Sequence, residues 1–282
     1  MRKFKGRVIT PGTLIESDLL SDKKNNYLCS VYMGEFECGV SFADVSTGQI
    51  FATSFCGDNI DARLKNELGT YVPSEVITNL SRKKLGEVAD FMSGRLGAMI
   101  TDNRPEQFEY EQSLAVALAQ FADVLKDDDK TDKALIMSLG GLISYVAETQ
   151  KGDISYIKDL NIYSEGQYLE MDTNTRRNLE ITETMRSKEK KGSLLWVLDK
   201  TKSAAGARML KFWIEHPLLN VAEILKRQNA VTELYENYMI REDISDLMES
   251  VLDLERLMTK IVYGTANARD LRAIANSTRI LP

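Results

Sequence analysis

Residues 26–56 read NYLCSVYMGEFECGVSFADVSTGQIFATSFC, and this stretch decides the fold of the first half of the chain. It contains three runs rich in β-forming residues, at 26–33, 36–45 and 50–55. Two candidate tight turns, Gly34-Glu35 and Ser46-Thr-Gly-Gln49, separate the runs. Short β-rich runs joined by turns that contain glycine indicate an antiparallel meander of three strands.

The hydrophobic period changes after this meander. Residues 59–68 and 82–92 carry apolar side chains at helical spacing, and residues 74–79 and 97–102 have the composition of short strands. Strands that alternate with helices favour parallel pairing. Three antiparallel strands followed by two helical crossovers predict a mixed α/β sheet similar to that of ribonuclease H.

Helical patterns dominate the chain beyond Pro105. Gly140-Gly141 indicates either a weak point or a point of close approach within one of these helices. The predicted helices cover residues 113–125, 132–149, 203–216, 223–238 and 244–262. We therefore predict two domains, an α/β domain over residues 1–149 with its sheet within 7–125, and an all-α helical segment over residues 150–282.

Charge and cysteine content limit the class of protein. Residues 1–150 hold 16 Lys and Arg against 22 Asp and Glu, a net charge of −6, whereas residues 151–282 hold 20 of each. This balance argues against a chain that coats nucleic acid by bulk electrostatics. Three cysteines without CxxC spacing predict no disulfide or zinc site and a reducing cytoplasm. No apolar run approaches the roughly 18 residues of a membrane span, and residues 1–7 lack the apolar segment of a secretory signal.

Motifs for catalysis are weak. His216 is the only histidine, and it precedes Pro217 at a predicted helix end, where a cation suits the helix dipole. The nearest match to a phosphate loop, Gly34–Gly39, lacks the required lysine. Basic clusters at residues 2–7, 82–84 and 188–191 are interpreted mainly as solvated surface, although the last could contact phosphates.

The predicted sheet leaves one enzymatic alternative open, a metal-dependent nuclease on residues 7–125. Such nucleases hold paired divalent metals with carboxylates on adjacent strands, and Asp44, Glu75 and Asp102 lie on predicted strands. In the competing interpretation, Glu75 faces solvent at a strand edge and Asp102 opens a turn. A fold does not by itself imply a function, so neither interpretation is excluded here.

Longer runs resemble one family, in the same order along the chain. They are Val8–Thr13, Asn25–Leu28, Phe42–Gly48, Asp172-Thr-Asn-Thr-Arg-Arg-Asn-Leu-Glu180, Gly192–Asp199, Thr201–Leu218, Arg227–Val231, Asp253–Arg256 and Ala266–Leu271. Together they resemble the connector domain and the first part of the core domain of MutS, a family of DNA mismatch repair proteins. The resemblance covers residues 7–282.

Eight residues within these runs form a candidate structural motif for the start of the core and for its helix packing. They are Asp172, Thr175, Arg177, Asn178, Arg256, Asn267, Arg269 and Asp270. Arg177 can form bidentate hydrogen bonds that fix two helices against each other. Asn267 can cap a helix while Arg269 reaches a neighbouring carboxylate. None of the eight is predicted to be catalytic or to bind a cofactor or metal.

The resemblance also implies a function. In the family, the connector links a mismatch-reading domain to the body and contacts a MutL-type protein, while the core carries signals between a DNA clamp and an ATPase. The full-length proteins bind mismatched double-stranded DNA, use ATP and magnesium, and form homodimers.

Two motifs of the family are missing from this sequence. It contains neither the family's mismatch-reading motif, Phe with Glu two positions later, nor a phosphate loop. We therefore expect a cytoplasmic, monomeric fragment without enzymatic activity or cofactor, from which the mismatch-reading, clamp and ATPase domains are absent. A MutS-like protein with a non-repair role is the second alternative.

Overall fold

The computed structural model of the chain describes residues 8–15, 20–101, 104–127, 129, 132–151, 154–164 and 166–281. The basic cluster at residues 2–7 and the candidate metal ligand Asp102 lie outside the described residues. The chain divides into two units. The first takes in residues up to Leu20 together with Asn25–Ser164, and the second takes in Ser21–Lys24 together with Glu165–Pro282.

A mixed sheet organises the first unit. Its strands are β1 (Leu28–Met33), β2 (Glu37–Asp44), β3 (Gln49–Cys56), β4 (Glu75–Thr78), β5 (Met99–Ile100) and β6 (Asp159–Ile162), in the order β5-β4-β1-β2-β3-β6. β1, β2 and β3 pair antiparallel, whereas β4, β5 and β6 each join a neighbour in parallel. The predicted α/β class, with an antiparallel meander followed by parallel strands, is confirmed.

Turn chemistry sets the register between β2 and β3. The carbonyl oxygen of Asp44 accepts hydrogen bonds from the backbone N–H groups of Thr47 at 3.1 Å and Gly48 at 2.8 Å. Gly48 has a φ of +81°, a conformation that costs glycine little and other residues more. The turn therefore places Asp44 opposite Gln49 in the pairing of the two strands.

The buried helix α5 (Lys133–Gln150) packs on β1, on β2 and on helix α4 (Tyr110–Phe121). Two glycines allow this packing to be close. A Cβ atom on Gly39 of β2 would lie 1.9 Å from the carbonyl oxygen of Ala134, and one on Gly140 would lie 2.4 Å from Cα of Ser113. The close approach predicted at Gly140 is confirmed.

Shorter helices connect the parallel strands. Helix α1 (Ile60–Tyr71) joins β3 to β4, and helices α2 (Arg82–Leu85) and α3 (Glu87–Asp90) lie between β4 and β5. The prediction of one helix over residues 82–92 is wrong. Gly86, with φ +52° and ψ −125°, ends α2 because these angles are incompatible with a continuing helix.

Strand β6 extends the first unit beyond residue 150. It pairs in parallel with β3, with Asp159 opposite Gln49 and Ile162 opposite Ala52. The predicted division at 149/150 lies ahead of this strand, whereas the two units divide between Ser164 and residue 165. A strand of four residues carries little sequence pattern, and its partner lies far earlier in the chain.

The second unit is helical, as predicted. Its helices are α6 (Thr173–Asn178), α7 (Leu194–Leu198), α8 (Ala204–Glu215), α9 (Val221–Glu236), α10 (Tyr238–Glu249), α11 (Leu254–Val262) and α12 (Ala268–Thr278). The Ser203 hydroxyl caps α8 by accepting a hydrogen bond from the Gly206 N–H at 3.2 Å. Among the described residues, no helix has the length and apolar character needed to cross a membrane.

The prediction of one continuous helix over residues 244–262 is wrong. α10 ends at Glu249, and α11 begins at Leu254 after an N-cap at Asp253. Between them, the backbone N–H of Leu252 donates to Oγ of Ser277 on α12 at 3.0 Å. The apolar spacing runs through the break, so periodicity alone does not reveal it.

Candidate functional site

Asp44, the first candidate metal ligand, is fully buried at the end of β2. One carboxylate oxygen accepts hydrogen bonds from the backbone N–H of Ser46 at 2.9 Å and its hydroxyl at 2.6 Å. The other accepts from the side chain of Asn25 at 2.9 Å and the backbone N–H of Asn26 at 3.3 Å. Asp44 therefore holds in place the residues that precede β1 and those that follow β2.

Glu75, the second candidate, is also fully buried, so the interpretation that it faces solvent is wrong. One oxygen accepts from the backbone N–H of Gly12 at 3.0 Å. The other accepts from the hydroxyl of Thr101 at 2.6 Å and the phenol of Tyr145 at 2.5 Å. Burial and the hydrogen bond to Glu75 raise the pKa of Tyr145 to about 12. Glu75 thus ties four segments of the first unit together.

These two carboxylates do not make a metal centre. Asp44 lies on β2 and Glu75 on β4, and β1 separates the two strands in the sheet. Within the described ranges, no group of three or more His, Cys, Asp or Glu side chains is arranged to hold a metal ion. The nuclease alternative is not favoured, because both carboxylates are already engaged by protein donors.

The predicted motif at the start of the core is a helix cap. The Asp172 carboxylate accepts a hydrogen bond from the backbone N–H of Thr175 at 2.6 Å. This hydrogen bond holds the pKa of Asp172 below its usual value. Arg177 and Asn178 end the same helix, α6, with exposed side chains. The neighbouring Arg176 contacts the backbone instead, donating from Nε to the carbonyl oxygen of Met171 at 3.1 Å.

The predicted cap at Asn267 is present at the start of α12. Its side-chain oxygen accepts from the backbone N–H groups of Arg269 at 2.8 Å and Asp270 at 3.1 Å. Asp270 returns a contact, accepting from the backbone N–H of Asn267 at 2.9 Å, so the two residues form a capping box. The carboxylate of Asp270 also lies 3.4 Å from Nζ of Lys260 on α11. Arg269 supplies its backbone to this cap, and its side chain is exposed.

Arg256 belongs to a buried charge cluster that also contains Arg208, Asp253 and Glu255. We call these four residues the arginine cluster. Arg208, 4% exposed, donates to both oxygens of Asp253 at 2.6 and 2.8 Å and to Glu255 at 2.7 Å. Arg256 is also 4% exposed, and its Nε atom lies 3.9 Å from a carboxylate oxygen of Asp253. The cluster joins the middle of α8 to the start of α11.

The arginine cluster binds the backbone of Ser21–Lys24, which belongs to the same unit. Arg208 donates to the carbonyl oxygen of Asp22 at 3.0 Å. Arg256 donates to the carbonyl oxygens of Ser21 at 3.0 Å and Lys24 at 2.7 Å. Two buried guanidinium groups thus bind three carbonyl oxygens within four residues.

The opposite charges in this cluster stabilise each other. Burial alone would raise the pKa of Asp253, but the hydrogen bonds and positive charge of Arg208 outweigh it and hold that pKa below its usual value. The same contacts raise the pKa of Arg208 despite its burial. Two guanidinium groups face two carboxylates, so the cluster carries no net charge.

The sequence predicted Arg256 as a helix-packing residue but missed Arg208, Asp253 and Glu255. Arg208 lies on a helix with a clear apolar face, and charged residues in such a helix usually lie on its solvent-exposed side. The run Asp253-Leu-Glu-Arg256 gave the nearest signal, since it places acidic residues at a helix start. The eight predicted residues fall into three separate groups, the α6 cap, the arginine cluster and the α12 cap.

His216 is buried rather than exposed as a cation at a helix end. It is 6% exposed, stacks on Phe212 with ring centroids 4.0 Å apart, and donates from Nδ1 to the Phe212 carbonyl oxygen at 2.9 Å. Burial lowers the pKa of His216 to about 4. The low pKa disfavours a protonated imidazole at this helix end, where a cation would suit the helix dipole.

Two family models match the chain along most of its length. Residues 26–158 match MutS domain II, and residues 174–282 match MutS domain III. The first match covers most of the sheet-containing unit, and the second covers most of the helical unit.

Curated proteins named DNA mismatch repair protein MutS align with 98% of the chain. Those from Alkaliphilus oremlandii, Acetivibrio thermocellus and Ruminiclostridium cellulolyticum are 41%, 39% and 40% identical to it, respectively. The aligned part is 32% of each of these proteins, so the chain spans about a third of their length. With the two consecutive domain matches, these alignments show that the chain belongs to the MutS family of DNA mismatch repair proteins.

Proposed function

We propose that this chain acts as the connector and the first part of the core in a DNA mismatch repair protein. In this role it couples recognition of mismatched double-stranded DNA to ATP-driven signalling. The connector, the sheet-containing unit, offers the surface for a MutL-type protein. The consecutive matches to MutS domains II and III support this assignment.

The observation that carries the proposal is the way the chain passes between its two units. Ser21–Lys24 belong to the helical unit, whereas Leu20 and Asn25 belong to the sheet-containing unit. Together with the junction after Ser164, the chain therefore crosses between the units three times. Three covalent crossings allow a displacement of one unit to act directly on the other, which suits a part that transmits signals.

The proposed role assigns chemistry and DNA recognition to other parts of the protein. ATP, magnesium and the mismatch-reading, clamp and ATPase domains belong to the full-length protein, which acts as a homodimer in the cytoplasm. The purified 282-residue chain is expected to be a monomer without ATP turnover and with little affinity for mismatched DNA. ATP hydrolysis that copurifies with the chain through several steps would contradict this part of the proposal.

An exchange of segments tests the proposed function. The matched third of the Alkaliphilus oremlandii MutS is replaced by this chain, and the chimaera is expressed in a bacterium that lacks its own MutS. The same exchange with the corresponding third of the Acetivibrio thermocellus protein is the matched control. We expect both chimaeras to lower the spontaneous mutation frequency to the level given by the unaltered protein.

One result would contradict the proposal. The chimaera with this chain would accumulate normally, bind mismatched DNA and hydrolyse ATP, yet leave the mutation frequency at the level of the strain without MutS. If the control chimaera restored repair in the same strain, the failure would lie in this chain. The alternative of a MutS-like protein with a non-repair role would then be favoured.

A further inference from the structure

We propose that the arginine cluster and Ser21–Lys24 form a releasable latch, which sets whether this crossing segment is attached to the helical unit. The inference rests on the proposed function, because it names the element that regulates coupling between the units. The latch closes through Arg208 and Arg256. It opens when the three backbone carbonyl groups leave the two guanidinium groups.

The contacts to the segment favour release as a single piece. All four side chains of Ser21–Lys24 are exposed, so apolar burial contributes little to holding the segment. Within the described residues, the hydrogen bonds that attach it to the helices are the three from Arg208 and Arg256 to backbone carbonyl oxygens. A charge interaction between Lys24 and Glu215 of α8 adds to them.

The arginine cluster can remain folded when the segment leaves. Arg208 keeps its paired hydrogen bonds to Asp253 and its hydrogen bond to Glu255, because none of these involves Ser21–Lys24. The Glu255 side chain is 39% exposed, so water can reach this side of the cluster. The cost of opening is then confined to the contacts with carbonyl groups, which water can replace, and to the charge interaction between Lys24 and Glu215.

The arginines bind backbone atoms of Ser21–Lys24, so the test substitutes an arginine rather than a residue of the segment. Substitutions within Ser21–Lys24 leave the three carbonyl oxygens in place, whereas Arg256→Lys removes the forked donor that spans Ser21 and Lys24. A lysine keeps the positive charge near Asp253 but has a single nitrogen. Arg272→Lys, at an exposed position of α12, is the matched control.

The test uses the purified 282-residue chain in two measurements, amide hydrogen exchange by mass spectrometry and the rate of tryptic cleavage after Lys23 and Lys24. Both substitutions leave the number of tryptic sites unchanged. In Arg256→Lys we expect exchange over residues 20–26, and cleavage at these lysines, to become roughly tenfold faster or more. Peptides from α8 and α11 should exchange as in the unsubstituted chain, and Arg272→Lys should change neither rate.

Two results would overturn the proposal. One is an unchanged exchange and cleavage rate at residues 20–26. The other is a rise of equal size in α8 and α11, which would make Arg256 an ordinary structural contact. If Arg256→Lys does not fold, hydrogen exchange in the unsubstituted chain tests the proposal instead. The latch requires residues 20–26 to exchange while α11 stays protected, and equal protection of both would overturn it. These measurements involve no DNA, MutL or ATP, so they can fail while the mutation-frequency test succeeds.

Discussion

Lowering the pH should weaken the helical unit through one side chain, His216. Its imidazole is buried against Phe212 and Tyr168, with ring centroids 4.0 and 5.3 Å away. Burial lowers its pKa to about 4, and the positive charges of Arg176 and Lys211 act in the same direction. Because His216 is the only histidine, no other imidazole contributes to the titration of this chain between pH 7 and 5.

The sign and size of the effect follow from proton linkage. In the unfolded chain His216 binds a proton below its ordinary pKa of about 6.5, whereas the folded unit resists protonation until about pH 4. The unfolded state therefore binds more protons in this window, and the free energy of unfolding falls as the pH decreases. Between pH 7.5 and 5 the loss amounts to about 2 kcal/mol.

Tryptophan fluorescence gives a direct assay, because both tryptophans, Trp196 and Trp213, lie in the helical unit. Urea unfolding is followed at several pH values in the natural chain and in His216→Gln, which cannot titrate. The neighbouring Glu215 has a raised pKa from burial and opposes the trend at lower pH, and it is present in both proteins. A difference in unfolding free energy between the two proteins that is the same at pH 7.5 and pH 5 would refute the role of His216 in this pH dependence.

Two further predictions concern the sheet-containing unit. Gly39→Ala should lower its unfolding free energy by about 1–3 kcal/mol, because the new Cβ would lie 1.9 Å from the Ala134 carbonyl oxygen. Gly94→Ala, with no neighbour within 4 Å of its Cβ, is the control, and equal melting temperatures by circular dichroism would refute the close contact. Ser30→Ala should raise the unfolding free energy by roughly 1 kcal/mol, because Oγ of Ser30 is buried without a hydrogen-bond partner among the described residues. Ser41→Ala, which loses a hydrogen bond to another hydroxyl, should lower it instead, and a loss of stability in Ser30→Ala would contradict the assignment.

Local sequence signals sufficed for the meander and for several helix ends. The turn at Ser46-Thr-Gly48, the cap at Ser203 and the cap at Asn267 each depend on residues within a few positions of one another. Such contacts repeat in many proteins with the same residue types, so their pattern can be read without knowledge of the tertiary fold. The resemblance to one family added the order of the domains.

Features that depend on distant partners could not be predicted from local pattern. Strand β6 is defined by its pairing with β3, and the break before Asp253 depends on Ser277. The local sequence around Glu75 is that of an exposed residue at a strand edge. Its burial depends on contacts such as the hydrogen bond from the backbone N–H of Gly12, 63 positions away in the chain. Burial of a charged group is set by the elements that surround it, and hydrophobic spacing within one element does not contain that information.

Arg208 illustrates the same limit for the candidate site. Its partners Asp253 and Asp22 lie 45 and 186 positions away in the chain. Predicted motif members such as Asp172 and Asn267 cap helices. Of the two arginines that bind the crossing segment, Arg256 was selected and Arg208 was not. The acidic residues at the start of α11 can be recognised from the sequence, whereas the burial of Arg208 cannot.

We propose that this chain couples mismatch recognition to the ATPase of the full-length protein through its crossing segment, Ser21–Lys24. The most direct test measures how strongly mismatched DNA accelerates nucleotide exchange in the Alkaliphilus chimaera, with and without Arg256→Lys. We predict that Arg256→Lys changes this acceleration severalfold while leaving mismatch affinity and basal ATP hydrolysis unchanged, and that the control Arg272→Lys alters none of the three. An acceleration identical in the chimaera and its Arg256→Lys variant would contradict coupling through Ser21–Lys24.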